Sequence, residues 1–167
     1  IFNHTNYIIL PTFLSFIITI LWIVGITNAL NWIDGIDGLA ISVSSIALVG
    51  NLYLFAFSKN DSLLFLTILL LGTCTAFYKY NFKPASIIMG DGGSYFIGFN
   101  LASISLLSVT NSDGVTFLQT LFAFFFVPIV DMIFVIFKRL LHSKSPFFGD
   151  RTHIHHRLIN KGFNEIQ

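Results

Sequence analysis

Five long runs of this chain carry almost no charge, and that constrains its folding more than any other feature. Thr5 to Ile33 holds no charged side chain, with its apolar centre at Phe13 to Ile26. Gly38 to Ser58, Ser62 to Tyr78 and Gly92 to Ser112 are likewise charge-free, and Gly114 to Phe137 is interrupted only by Asp131. A helix needs roughly 20 residues to cross the hydrocarbon layer of a bilayer. Each run therefore reads as one crossing, the third being short. In lipid every backbone amide must be satisfied within its own segment, so β-branched and aromatic content does not argue for strands. No period-2 alternation persists, which argues against a β-barrel. The expected fold is all-α, a polytopic transmembrane bundle of about five spans in contact with the bilayer.

Composition agrees. Charged residues make up 10% of the 167 and hydrophobic residues 54%, with mean hydropathy +0.79, against about 25% charged in an ordinary soluble domain. A soluble enzyme, a disordered tail and a nucleic-acid module are poor fits, and no nucleic-acid partner is expected. One cysteine excludes an intrachain disulfide framework and a cysteine-rich zinc site. The first residues, Ile1-Phe2-Asn3-His4, lack a Met, a basic n-region and a small-residue cleavage site. They do not read as a signal peptide, and the sequence is expected to begin partway through a longer protein.

The few charges are unevenly placed. With five spans, the connections at 31–38 and 79–93 and the segment 138–167 share one side of the membrane. That side holds Lys79, Lys83, Lys138, Arg139, Lys144, Arg151, Arg157 and Lys161, all the basic residues but Lys59. The positive-inside rule makes it cytoplasmic. The expected division is a five-span membrane region over 1–137 and a cytoplasmic basic, histidine-rich segment over 138–167.

Three polar constellations fall on that face. In Asn28 to Leu39, Asn28, Asn31, Asp34 and Asp37 recur every three residues. On a helix they would form one stripe, with the two carboxylates about a turn apart. Carboxylates so close resist joint ionisation, which a divalent cation would relieve. An ordinary polar loop ending a span is the bland reading, but four regularly spaced Asn/Asp residues disfavour it. The second constellation, Met89-Gly90-Asp91-Gly92-Gly93-Ser94, sets a carboxylate among glycines just before a span. Such a backbone can offer amides to phosphate oxygens, and Asp91 is a single hard ligand suited to Mg²⁺. Here a plain turn, with Ser94 as helix N-cap, competes evenly. In the third, Arg151, His153, His155, His156 and Arg157 cluster within a few residues. The arginines suit phosphate oxygens through bidentate bonds, or equally anionic lipid headgroups. The histidines suit donor, acid–base or ligand roles. A zinc site on them is conceivable, but no H-E-x-x-H string occurs, and oxygen ligands at the aspartates favour magnesium. Asp131, after Pro128 in the fifth run, is balanced between an ion-paired structural group and a functional one. Trp22 and Trp32 read as residues of interfacial anchoring and packing.

Polar groups at the membrane face, not at its midplane, suit a reaction between a water-soluble phosphate compound and a lipid phosphate better than transport. At these residues the chain resembles a known family. Asn28 to Leu39 is similar to the N-x-x-N-x-x-D-G-x-D-G-L signature of the polyprenyl-phosphate N-acetylhexosamine-1-phosphate transferases. Met89 to Ser94, continuing through Gly98, resembles their M-G-D-x-G-S segment, and Asp150 to Leu158 their D-R-x-H-x-H-H-x-L segment. The histidine spacing is closer to the branch making lipid-linked N-acetylglucosamine than to the phospho-MurNAc-pentapeptide branch.

The resemblance implies transfer of an N-acetylhexosamine 1-phosphate, in that branch GlcNAc-1-phosphate, from a UDP-sugar to undecaprenyl phosphate. UMP is released at the cytoplasmic face of a bacterial plasma membrane, for envelope polysaccharides such as teichoic acid or lipopolysaccharide. It implies Mg²⁺, with Mn²⁺ as substitute, held by Asp91. Asp34 and Asp37 would be active-site carboxylates. Asn28, Asn31 and Gly90 would line the substrate cleft, and Arg151, His153, His155 and His156 would contact diphosphate and sugar. Family members also carry an adjacent Asp-Asp motif and further spans, which this sequence lacks, so it is expected to hold part of an active site. A degenerate, non-catalytic membrane partner and a metal-dependent transporter are the alternatives; a homo-oligomer is left open.

Overall fold

A computed structural model describes residues 11–109 and 114–141. Five helices account for nearly all of them: α1 (Thr12–Ile33), α2 (Leu39–Phe57), α3 (Asp61–Asn81), α4 (Gly90–Val109) and α5 (Gly114–Leu141). Each coincides with one charge-free run, and there is no strand among the described residues. Three of them, α1 to α3, are long and apolar enough to cross a membrane. The chain is thus an all-α membrane helix bundle.

Its polarity is that of a protein solvated by lipid. Large side chains such as Phe13, Phe16 and Leu21 on α1, Phe65 and Leu69 on α3, and Phe96 and Phe99 on α4 are exposed. Small residues are packed inside among larger ones: Ala29, Ala40, Ala47, Ala102 and Ser44 are fully buried beside Ile41, Leu48, Leu101 and Phe125. Lipid tails give no hydrophobic drive between helices, so close packing of small residues takes its place. The hydroxyls among them bond back to their own helices, Ser44 Oγ to Ala40 O and Thr67 Oγ1 to Leu63 O, each at 2.7 Å.

The helices associate mainly as α1 with α4 and α2 with α3, with α5 laid against α1 and α2. The α1–α4 approach is close at Gly98. A Cβ there would lie 2.9 Å from Thr27 Cα and 3.3 Å from Thr27 O. Nearby, Trp22 Nε1 donates to Ser105 Oγ at 2.9 Å, and its ring meets Phe125 edge-on at 5.5 Å. Trp22 is thus a packing residue between helices.

The ends of the helices follow local chemistry. Asn60 caps α3, its side chain accepting from Leu63 N at 3.2 Å, with Asp61 in the first turn and Lys79 in the last. Those charges complement the helix dipole. They also let α3 reach 21 residues, so the third span is not short. At α1 the helix stops at Ile33. Asp34 N–H bonds back to Asn31 O at 3.2 Å, three residues earlier, and the backbone turns away (ψ 42°). Asp34 and Asp37 therefore lie beyond the helix and do not continue its stripe. Gly38 then opens α2 at φ +78°, where an L side chain would be strained and a Cβ would touch Phe82 at 3.4 Å.

Candidate functional site

The end of α1, the start of α2, the end of α3 and the start of α4 meet at one end of the bundle. The join is made by Asn31, in the last turn of α1. Its Nδ2 donates to Asp91 Oδ1 at 3.0 Å and to Ser94 Oγ at 2.9 Å. The first two polar constellations, some sixty residues apart in sequence, are therefore one site.

Asp91 lies in the first turn of α4, because that helix opens at Gly90. Ser94 is not its N-cap. It is buried within the helix, its hydroxyl directed to Gly90 O at 3.0 Å, with Asp91 O at 3.3 Å. An N-cap must precede the first turn, and here the glycine begins the helix four residues earlier. The first-turn amides of α4 have no acceptor within the helix and sit beside the exposed Asp91. That arrangement favours anions.

Asp34 completes the acidic group. It is half-buried, and burial pushes its carboxyl up from the ordinary 3.8 to about 6, the charges of Asp91 and then Asp37 adding to the effect. Asp37 is exposed and accepts from Ala85 N at 3.0 Å. Two carboxylates on the loop after α1 and one in the first turn of α4 thus lie near one another at this end of the bundle. Asn28 stands apart from this network: its Nδ2 donates to Val24 O at 2.7 Å, one turn back on α1.

The oxygen donors here are of the hard kind that magnesium takes. Among the described residues no three His, Cys, Asp or Glu side chains group into a metal-holding cluster, so there is no closed all-protein cage. A single accessible carboxylate is nonetheless what Mg²⁺ commonly takes from a protein, the rest of its octahedron being waters and substrate phosphate oxygens. Burial is the larger cause of the Asp34 shift; the part added by the charges of Asp91 and Asp37 is what a cation would relieve.

One residue that sequence reasoning passed over belongs to the site. Asn81, the last residue of α3, is 3% exposed. Its Oδ1 accepts from Gly38 N at 3.2 Å and its Nδ2 donates to Ile87 O at 3.1 Å. The signal was faint: a single Asn closing an apolar run looks like any helix end. Beside Asp91, Met89 and Gly93 also line an apolar cavity of about 190 Å³ with Ile41, Cys74, Phe77 and Ile97. At the same end of the bundle the guanidinium of Arg139, near the close of α5, stands 5.8 Å over the Trp32 ring. Asp131 is buried at 1% exposure, in keeping with a group that has partners inside the bundle. Arg151, His153, His155 and His156 lie outside the described residues.

The chain is similar in sequence to known proteins. The sequence model of glycosyl transferase family 4 matches residues 1–109. A Bacillus subtilis (strain 168) protein described as a probable undecaprenyl-phosphate N-acetylglucosaminyl 1-phosphate transferase is 39% identical over 152 residues, 90% of this chain and 42% of that protein. The decaprenyl-phosphate N-acetylglucosaminephosphotransferase of Mycobacterium leprae (strain TN) is 33% identical over 108 residues, 58% of this chain and 27% of its own length. The undecaprenyl-phosphate alpha-N-acetylglucosaminyl 1-phosphate transferase of Escherichia coli (strain K12) is 35% identical over 81 residues, 48% of this chain and 22% of its own. The chain spans less than half the length of these curated relatives.

Proposed function

The chain belongs to glycosyl transferase family 4, and from that premise we propose that the whole protein transfers N-acetylglucosamine 1-phosphate from UDP-N-acetylglucosamine to undecaprenyl phosphate, releasing UMP. The observation that carries the proposal is the Asn31–Asp91 hydrogen bond. It unites two acidic motifs where apolar helices end, and there a water-soluble diphosphate and a membrane-held phosphate can meet without either leaving its preferred solvent. The gathering of basic residues on the same connections supports a cytoplasmic active face in a bacterial plasma membrane.

In this mechanism an oxygen of the lipid phosphate attacks the sugar-linked phosphorus of the nucleotide sugar. The bond from that phosphorus to the bridging oxygen breaks, the bridging oxygen leaves with UMP, and a lipid-linked diphosphosugar remains. No covalent enzyme intermediate is invoked. Asp91 would hold Mg²⁺, which when bound neutralises the diphosphate and the charge on the departing oxygen. Asn31 aims the Asp91 carboxylate. Asp34 and Asp37 orient the substrate from the facing loop. The first-turn amides of α4, starting at Gly90, face phosphate oxygens, and Arg151 with His153, His155 and His156 contacts the diphosphate and sugar. Asn28 contributes from the cleft wall once its amide turns from Val24.

The test is transfer of radiolabelled sugar phosphate into lipid by the full-length protein. Asp91→Asn should lower turnover by at least about 10²-fold, the usual scale for removing a centre that stabilises developing charge, with folding intact. Chelation should stop the reaction, and Mg²⁺ or Mn²⁺ should restore it. Near-normal transfer by the Asn variant removes the metal assignment. An inactive full-length wild type overturns the function.

A further inference from the structure

We propose that Asn81 is a positioning residue of this site, its buried carboxamide fixing the loop that carries Asp34 and Asp37 against the loop that leads into Asp91. The inference rests on the transferase reading above and adds to it a residue that acts through the two loops it ties.

The argument starts from the two ends of one side chain. Oδ1 accepts from the N–H of Gly38, the residue after Asp37, at 3.2 Å. Nδ2 donates to the carbonyl of Ile87, four residues before Asp91, at 3.1 Å. An amide offers a donor and an acceptor on one rigid plane at any pH. Both bonds lead to motif-bearing loops and not into the membrane bundle. A second tie runs parallel, Ala85 N–H to Asp37 Oδ2 at 3.0 Å. The loop is also folded onto the end of α3, since Ser86 N and Ile87 N both bond Tyr80 O, at 2.8 and 3.1 Å. The close of α3 is therefore the base on which the Asp34–Asp37 loop and the 82–89 loop both rest, and the Asn81 side chain hydrogen-bonds to each of them.

The substitutions follow from that chemistry. Asn81→Asp keeps an acceptor for Gly38 N and, at pH values where it is ionised, sets a second acceptor against Ile87 O and adds a charge near three carboxylates. Asn81→Leu keeps the branching at Cγ, adds some bulk and loses both bonds. Either change frees the loops to shift, and a displacement near 1 Å costs about 10²-fold in a reaction that depends on alignment. Ground-state binding of the nucleotide sugar depends less on that alignment. The loss should therefore fall on kcat, with KM for UDP-N-acetylglucosamine changed less than about threefold.

The experiment uses the full-length protein and both variants, with three readouts: steady-state kinetics, thermal midpoint, and hydrogen exchange of peptides covering 34–38 and 82–91. The expected result is a kcat at least about tenfold lower, a midpoint within a few degrees of wild type, and faster exchange in both peptides together. Unchanged exchange in both peptides overturns the proposal. So does wild-type kcat in a folded variant, or an activity loss explained wholly by a smaller folded fraction, which would make Asn81 a packing residue only. Failure of both variants to fold would mean the same. An inactive wild type sinks the transferase reading alone, and the exchange data then still decide whether Asn81 couples the two loops.

Discussion

Replacing Gly98 with alanine should damage catalysis from a position that bears no reactive group. The new Cβ would stand 2.9 Å from Thr27 Cα and 3.3 Å from Thr27 O, whereas carbon atoms rest at about 3.5–4.0 Å. The clash is with backbone, so no side-chain rotation relieves it, and α1 and α4 must part by roughly 0.6–1 Å. Thr27 lies one turn before Asn31, and Gly98 two turns after Asp91. The separation thus passes to the Asn31–Asp91 bond, which at 3.0 Å would stretch to about 3.6 Å or more, beyond a hydrogen bond. A loss of this order in alignment corresponds to about 10²-fold in kcat. Overpacking costs about 1–3 kcal/mol of stability, offset in part by the roughly 1 kcal/mol gained on replacing a helical glycine with alanine. The assay is steady-state transfer by full-length protein in vesicles containing undecaprenyl phosphate, with thermal midpoints in parallel. Gly72→Ala, at a helical glycine with open space around it, serves as the control and should retain full activity. Because Gly98 acts through Asn31, the Gly98→Ala/Asn31→Ala double variant should be little worse than the worse single one. A folded Gly98→Ala protein with kcat within twofold of wild type, or losses that simply add in the double variant, would refute the reasoning.

Asp34, raised to about 6 by burial and then by Asp91 and Asp37, should ionise in the metal-free protein as pH climbs from about 5 to 7, as read from its isotope-labelled infrared carboxyl band. Asp37→Asn should lower that midpoint while leaving part of the rise, since burial is the larger cause. The folded state holds this proton more tightly than the unfolded chain. The stability Asp34 contributes is therefore fully present below 3.8 and is lost as pH rises through about 6, which thermal midpoints across that window will report. Trp22→Phe deletes the α1–α4 hydrogen bond to Ser105 and should cost about 1 kcal/mol in detergent unfolding, the usual scale for such bonds between membrane helices; no change would demote the bond. Arg151→Ala and His155→Ala should each reduce kcat/KM for the nucleotide sugar about tenfold or more, the scale of a hydrogen bond to a charged group, and unchanged kinetics in both would remove that segment from the site.

Much of the fold was legible because lipid permits so few solutions. A charge-free run long enough to cross must satisfy its own backbone, and the five runs became five helices. What the runs hid was their ends. Asn60 and Lys79 carry α3 past both limits of its apolar stretch. Gly90 starts α4 early enough to draw Asp91 into the first turn and bury Ser94. The periodic stripe from Asn28 to Asp37 misled in a similar way, because a hydrogen bond from Asp34 back to Asn31 ends the helix inside the repeat. Both acidic motifs were visible as motifs, but their contact depends on how closely α1 approaches α4 at Gly98, a tertiary quantity with no local signature. Asn81 was harder still, since its meaning lies in two backbone groups on other segments.

The forked donor at Asn31 bears on how the cleft would select its counter-ion. A lysine or arginine in its place would also steer the Asp91 carboxylate, but would bring a full positive charge and compete with any metal for it. An amide fixes the direction of the carboxylate and leaves its charge undiminished. The aspartate is thus held in place while remaining a strong electrostatic attractor, so a divalent cation arriving there meets an oriented ligand that no resident cation has to vacate.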